Sequence, residues 1–334
     1  MRRLAALALL LPAAAWAQGA RPADAAGAAE PPAASGPERP VASPAPPASS
    51  AEGRHGRRDA DLRLRRRLIA DQGRVDRVTA ALAKALPEGA GPKPRPYLGL
   101  RVADHDAGEN RLLAEAVGLA DPEHPFVYSV DPTGPAAALD VQVGDQVLKV
   151  AGREIDQSSD YYEKTLKADL EFPVRVRLLR DGAEHGIEIG ERRRPRGVEV
   201  LVAGDHKNVF AWTDRDQITV SMGMVEFLAD EGELAVVLGH EIGHLFKGHF
   251  STSYRQGGHA YFSSDLEREA DRFGLELAWR AGYDPLAGVA VWERFETELP
   301  RALDAPYLLS HPPGAQRIAS ARRIAAELGA RGRP

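Results

Sequence analysis

The sequence predicts an α+β chain: a mainly helical C-terminal domain with a small sheet, preceded by a separate β-rich domain. Three observations predict it. Apolar residues recur at helical spacing in 57–87, and again around 230–246 and 264–281. Short apolar runs alternate with turn residues across 97–191. Residues 18–56 are Ala, Pro, Gly and Ser in low-complexity order, a composition that cannot bury enough apolar surface to offset its ordering entropy.

In chain order, residues 1–17 read as a secretory signal. Arg2-Arg3 is the charged start, Leu4–Trp16 the apolar run and Ala15-Trp16-Ala17 the small-residue cleavage site. The alternative, an uncleaved anchor, has to work with a run that is short for a span and interrupted by Pro12. No later stretch reaches eighteen apolar residues, so the mature chain is expected to be soluble. The chain has no cysteine, which excludes disulfides and cysteine lipidation. A bacterial periplasm fits these features together. The formal net charge of -5 argues against a nucleic-acid partner.

Residues 18–56 are expected to be a disordered tether. The helix at 57–87 follows, with Leu64, Leu68, Val75, Val78, Leu82 and Leu86 as its apolar stripe. Its Arg63–Arg67 start admits two readings, a solvated face or peripheral attraction to an anionic membrane surface. Pro87 and Gly91-Pro92-Lys93-Pro94-Arg95-Pro96 end it. Within 97–191 the expected strands are Phe126–Val130, Gln146–Val150, Val174–Leu179 and Gly186–Ile189.

Residues 240–244 read His240-Glu241-Ile242-Gly243-His244. Positions i and i+4 of a helix share a face. Two imidazoles can therefore meet one Zn²⁺, with Glu241 beside them to take a proton from the attacking water. The bland alternative is a solvated helix that happens to carry two histidines, and the context opposes it. Asp230 is placed as N-cap with Glu233 in capping-box position, and Leu234, Val237, Leu238, Ile242 and Leu245 form a core-directed face. Gly239 and Gly243 each weaken the helix by about 1 kcal/mol relative to Ala. Glycines there make sense if another segment packs closely against the helix.

A catalytic zinc needs a third protein ligand. The next helix, capped near Ser264 and stopped at Gly282, puts Glu267 and Asp271 on one face at i, i+4. One carboxylate can bind metal while the other holds a ligand histidine's free N–H. Glu267 is the favoured ligand. Its rival is Glu269, about 200° around the helix, and Glu267 also fits as a capping partner of Ser264.

Taken in order, these motifs resemble the gluzincin metallopeptidases that include the CAAX prenyl protease and the HtpX, Oma and BepA types. The resemblance spans 197–330. It is carried by Val236–Gly239 before the paired histidines, Leu245–His249 after them, Glu267 to Asp271, Lys207–Ala211 with Gln217–Gly223, and Ser310-His311-Pro312-Pro313 with Arg317-Ile318. It implies a zincin-like domain with one zinc per chain on His240, His244 and Glu267, and Glu241 as general base. It implies Asp271 as proton donor or histidine partner, and His311 as a group that approaches the zinc, either for the oxyanion or to fill the open position. It further implies that a substrate strand pairs with an edge at Asn208, Val209, Phe210 and Ala211. His249 is read as structural. The gap from His244 to Glu267 is short for this family, and Ser251–Ser264 is expected to be a loop beside the cleft.

Within 97–191, Tyr97-Leu98-Gly99-Leu100 resembles a PDZ carboxylate-binding loop. Gly134–Leu139 and Val143–Gly152 resemble the PDZ domains of bacterial proteases. That implies protein or peptide partners added as a strand and captured by their C-termini; the alternative is a spacer of the same fold with a closed groove. The helix before 87 resembles the one that opens the protease domain of this family, which would insert the PDZ-like domain between that helix and a strand at Val198–Val202. The expected function is a zinc endopeptidase of periplasmic or envelope proteins, for quality control. The other class of reading is a non-catalytic, zinc-containing binding or chaperone-like protein.

Overall fold

The computed structural model describes residues 51–87, 94–105, 110–155, 170–190, 193–195, 198–214, 217–256, 259–299 and 314–332. The expected signal sequence, the tether up to residue 50 and His311 lie outside the described residues. Helix α1 runs from Ala51 to Ala85. Residues 51–56, expected in the tether, are therefore helical. No proline falls within them, although two of the six, Gly53 and Gly56, are weak helix formers. Leu68, Val75, Val78 and Leu82 of α1 are buried in one core with Val198, Val200, Val202 and the C-terminal helices. On another face of α1, Ile69 packs against Ala103, Leu113, Ala114, Phe126 and Tyr128.

Strand β1 (Pro94–Pro96) pairs with β8 (Arg193–Pro195) and joins the entry and exit of the β-rich region. Between them lie β2 (Leu100–Ala103), α2 (Asn110–Ala116), β3 (Phe126–Val130), β4 (Gln146–Val150), β5 (Arg153–Glu154), β6 (Val174–Arg180) and β7 (Ala183–Ile189). The antiparallel order is β2-β3-β4-β6-β7, with β5 hairpinned to β4. Its core holds Leu98, Leu100, Val127, Val147, Val150, Val176, Leu178 and Ile189.

The second sheet has the order β10-β11-β9, with β9 at Val200–Ala203, β10 at Ala211–Asp214 and β11 at Gln217–Ser221. β9 runs parallel to β11 and β10 antiparallel to it, so β10 is an edge. The other edge, β9, is closed by side chains. The Gln72 carboxamide donates to Val200 O at 2.9 Å and accepts from Val202 N at 2.9 Å, as a neighbouring strand would. Arg101 of β2 donates to the same Val200 O at 2.7 Å and to buried Asp76 of α1 at 2.8 Å. The β-rich region is thereby pinned to α1 and to this sheet.

Helices α3 (Met222–Phe227), α4 (Glu231–Phe246), α5 (Ser264–Arg280), α6 (Ala287–Glu298) and α7 (Gly314–Ala330) complete the core. Asp230 caps α4 by accepting from Glu233 N, while Glu233 accepts from Ala229 N and from Arg294 of α6. α5 is capped by Ser263, one residue before the expected position. It ends where Gly282 takes φ +94 and Tyr283 N reaches back to Ala278 O at 3.0 Å. The stretch expected as a loop after α4 contains a hairpin, β12 (Tyr254–Gln256) with β13 (His259–Tyr261). No helix among the described residues is long and apolar enough to cross a membrane.

Candidate metal centre

α4 and α5 touch backbone to backbone. A Cβ on Gly239 would lie 2.8 Å from Gly274 O, and one on Gly243 would lie 3.1 Å from Ala270 Cα. That close approach sets the first two turns of α5 beside the paired histidines. His240 Nε2 and His244 Nε2 stand 3.1 Å apart. Glu267 oxygens lie 3.3 Å from the first and 3.7 Å from the second. All three residues are buried, and together they could hold a metal ion. In a tetrahedron with bonds of about 2.0–2.1 Å, ligand atoms stand about 3.3 Å apart; the separations of 3.1 to 3.7 Å, measured to the two Glu267 oxygens, lie near that figure. Glu269 is not in the cluster: half exposed, it pairs with Lys247 at 3.0 Å.

Each histidine is held on its far nitrogen by a different group. His240 Nδ1 lies 2.8 Å from Asp271 Oδ1. Arg317 of α7 donates Nε to Asp271 Oδ2 at 2.9 Å and Nη2 to Asp271 Oδ1, and its guanidinium lies over the Trp292 ring, 3.5 Å from the centroid. His244 Nδ1 lies 3.0 Å from His249 Nδ1, and His249 Nε2 faces Glu269 at 3.5 Å. With His244 Nε2 committed to a metal, its Nδ1 carries the proton and donates to His249, whose own proton then points to Glu269. Phe262, just after the hairpin, stacks on His244 with centroids 3.9 Å apart.

The pocket favours positive charge. Burial opposes a charge on His240, yet Asp271 and Glu267 raise it to about 10. Burial also opposes ionisation of Asp271, but Arg317 and His240 overcome it and hold the carboxyl well below the usual carboxylate range. Glu241 is pushed up to about 7 by burial, with Glu267 adding to the effect and His240 opposing it. At 8 % exposure it retains the most solvent contact of the five clustered residues.

The expected substrate edge falls partly outside a regular strand. Only Ala211 of the four expected residues is in β10; Asn208, Val209 and Phe210 precede it. The cause is local chemistry. Asp205 accepts from Lys207 N, Asn208 N and the Asn208 amide, and Ser221 Oγ donates to Asn208 O at 2.7 Å while accepting from Phe210 N. These side-chain bonds replace a regular ladder along Asn208–Phe210, although Ser221 N still donates to Phe210 O at 2.9 Å. In the β-rich region, Leu98 and Leu100 are buried in the core, and the Tyr97 hydroxyl donates to Asp131. Gly99 takes φ +81 against Gly134, where a Cβ would lie 2.9 Å from Gly99 Cα. The partners Arg317, His249, Gln72 and Arg101 escaped sequence reading. Of these, Arg317 and His249 sit in motifs that the sequence marks, without their contacts being legible there, and nothing in the sequence marks Gln72 or Arg101.

The helix pair brings two imidazoles and a carboxylate together in the ligand set of a zincin-type metal site. Residues 183–264 and 252–325 match the family model for peptidase family M48, and residues 96–190 match that for the PDZ domain. The chain is 28% identical over 127 residues to the mitochondrial metalloendopeptidase OMA1 of Arabidopsis thaliana, covering 30% of this chain and 26% of that one. It is 32% identical over 93 residues to a probable periplasmic serine endoprotease, DegP-like, of Pseudomonas fluorescens, covering 28% and 17%. The chain thus spans about a quarter or less of these relatives. Among solved structures it is similar to the HtrA-type protease AlgW with a decapeptide, at 24% identity and TM-score 0.27 over 30% of each chain.

Proposed function

We propose that this protein is a zinc-dependent endopeptidase of the bacterial periplasm or envelope, acting in protein quality control, with its PDZ domain recruiting or restraining substrate chains. The observation that carries the reading is the buried convergence of His240, His244 and Glu267 with Glu241 alongside. Those three side chains would hold the zinc, which when bound polarises the scissile carbonyl and makes water a stronger acid. Glu241, poised near neutrality, takes the water proton and returns it to the leaving amine. Asp271 orients His240 and, ionised and held by Arg317, is an acceptor rather than a proton donor. β10, at the end of the three-stranded order, is where an extended substrate would add as a strand. The metallopeptidase core includes α1, with the PDZ domain inserted between α1 and β9.

The test compares wild type with Glu241→Gln on unfolded casein, with zinc content measured in parallel. Wild type should hydrolyse casein. The variant should keep its zinc and lose about 100-fold or more in turnover, within the usual range for a general base. Equal turnover would refute the peptidase and leave a zinc-containing binding protein.

A further inference from the structure

Arg317 is the one charged side chain buried on α7 among its described residues; otherwise the helix docks through Ala321, Ile324, Ala325 and Leu328. Those apolar contacts would hold the helix without an arginine. Arg317 instead spends its planar fork on Asp271, 46 positions earlier, and is backed on one face by Trp292. A two-point fork fixes the plane of a carboxylate as well as its position. Asp271 in turn fixes the His240 ring through Nδ1, leaving Nε2 aimed at His244 and Glu267.

We propose that α7 completes the metal centre: Arg317 is a positioning residue that locks Asp271 as the fixed acceptor for His240, so that zinc binding and docking of α7 are thermodynamically linked. This rests on reading His240, His244 and Glu267 as the zinc site. The guanidinium charge by itself repels a cation, so charge and positioning predict opposite signs. If charge dominated, Arg317→Met would bind zinc more tightly; if positioning dominates, both Arg317→Met and the charge-preserving Arg317→Lys bind it more weakly. Linkage is reciprocal, so zinc must also tighten α7.

The experiment uses the full chain, stripped of metal and titrated with Zn²⁺ against a chromophoric chelator. Amide hydrogen exchange of residues 314–330 is followed with and without zinc. Arg322→Met, also on α7, removes an exposed pair with Glu293 of α6 and is the control. Expected are about tenfold or greater losses of zinc affinity in Arg317→Met and Arg317→Lys, the usual size of such outer contacts, and wild-type affinity in Arg322→Met. Exchange in 314–330 should slow on adding zinc to wild type. The inference is overturned if Arg317→Lys binds zinc within about twofold of wild type, if Arg317→Met binds it more tightly, or if zinc leaves wild-type exchange of α7 unchanged. The last measurement needs no variant to fold. A wild type that binds no zinc at all would instead refute the underlying site.

Discussion

Gly274→Ala probes the contact on which the whole centre depends. On helix propensity alone, the change stabilises α5 by about 1 kcal/mol. A methyl at Gly274, however, would sit 2.5 Å from His240 N and 2.8 Å from Gly239 C, and both are backbone atoms that cannot rotate away. Ordinary contact starts at 3.4 Å, so α4 and α5 must part by about 0.9 Å. Overpacking of this kind costs about 1–3 kcal/mol, which outweighs the propensity gain and leaves a net loss of up to about 2 kcal/mol. The larger effect falls on the site. If α5 moves as a rod, the Glu267 separations of 3.3 and 3.7 Å open past 4 Å, beyond the tetrahedral edge of about 3.3 Å. A misplacement near 1 Å can lower activity about 100-fold. Urea denaturation of the metal-free protein and zinc competition read the two effects separately. Gly329→Ala in α7, where nothing lies within 4 Å, is the matched substitution and should stabilise by up to about 1 kcal/mol. If Gly274→Ala stabilises like Gly329→Ala and keeps wild-type zinc affinity, close helix contact is not what assembles the site.

Arg101→Met strands the buried Asp76 carboxylate and should destabilise by about 3–5 kcal/mol in chemical denaturation. Adding Asp76→Leu should recover part of that loss, and strictly additive effects would show that the pair does not couple the β-rich region to α1. His249→Phe leaves His244 Nδ1 without its buried partner and should weaken zinc binding about tenfold by chelator competition. Glu269→Gln, at a half-exposed position, should change zinc affinity less than about twofold; a larger effect there than in His249→Phe would reverse the assigned order of the chain.

What could be read from the sequence follows the range of the physics involved. α4 and α5 announce themselves through local signals: a capping aspartate or serine, a 3.6-residue apolar period, and a glycine stop. The pairing of Glu267 with Asp271 is legible for the same reason, since i and i+4 are one turn apart. Gly239 and Gly243 pointed to a close neighbour without naming it, because Gly274 carries no periodic mark of its role. Contacts that cross the fold left no such trace. Asp271 and Arg317 meet only because α5 and α7 pack together, and Gln72 reaches β9 from a helix more than a hundred residues earlier. The start of β10 was misplaced because residue type favours a strand at Val209-Phe210, whereas the Asp205 and Ser221 side chains offer that backbone competing hydrogen bonds.

The ambiguity between Glu267 and Glu269 was a question of which face of α5 meets α4, and the glycine contact answers it. With Gly274 and Ala270 pressed against Gly239 and Gly243, the same face carries Glu267 and Asp271 inward. Glu269 is turned toward Lys247 and His249 at the margin. One helix therefore supplies three carboxylates that surroundings make different. Glu267 reaches the gap between the imidazoles, Asp271 braces His240 from behind, and Glu269 faces the far nitrogen of His249 at 3.5 Å. His240 answers to α5 on its far nitrogen and Glu267 is on α5 itself, so any motion of α5 relative to α4 disturbs both at once. If the site holds zinc, it should lose the metal as a unit rather than ligand by ligand. The substitutions at Gly274, His249 and Arg317 should accordingly reduce zinc affinity without leaving a partly coordinated, tightly bound form.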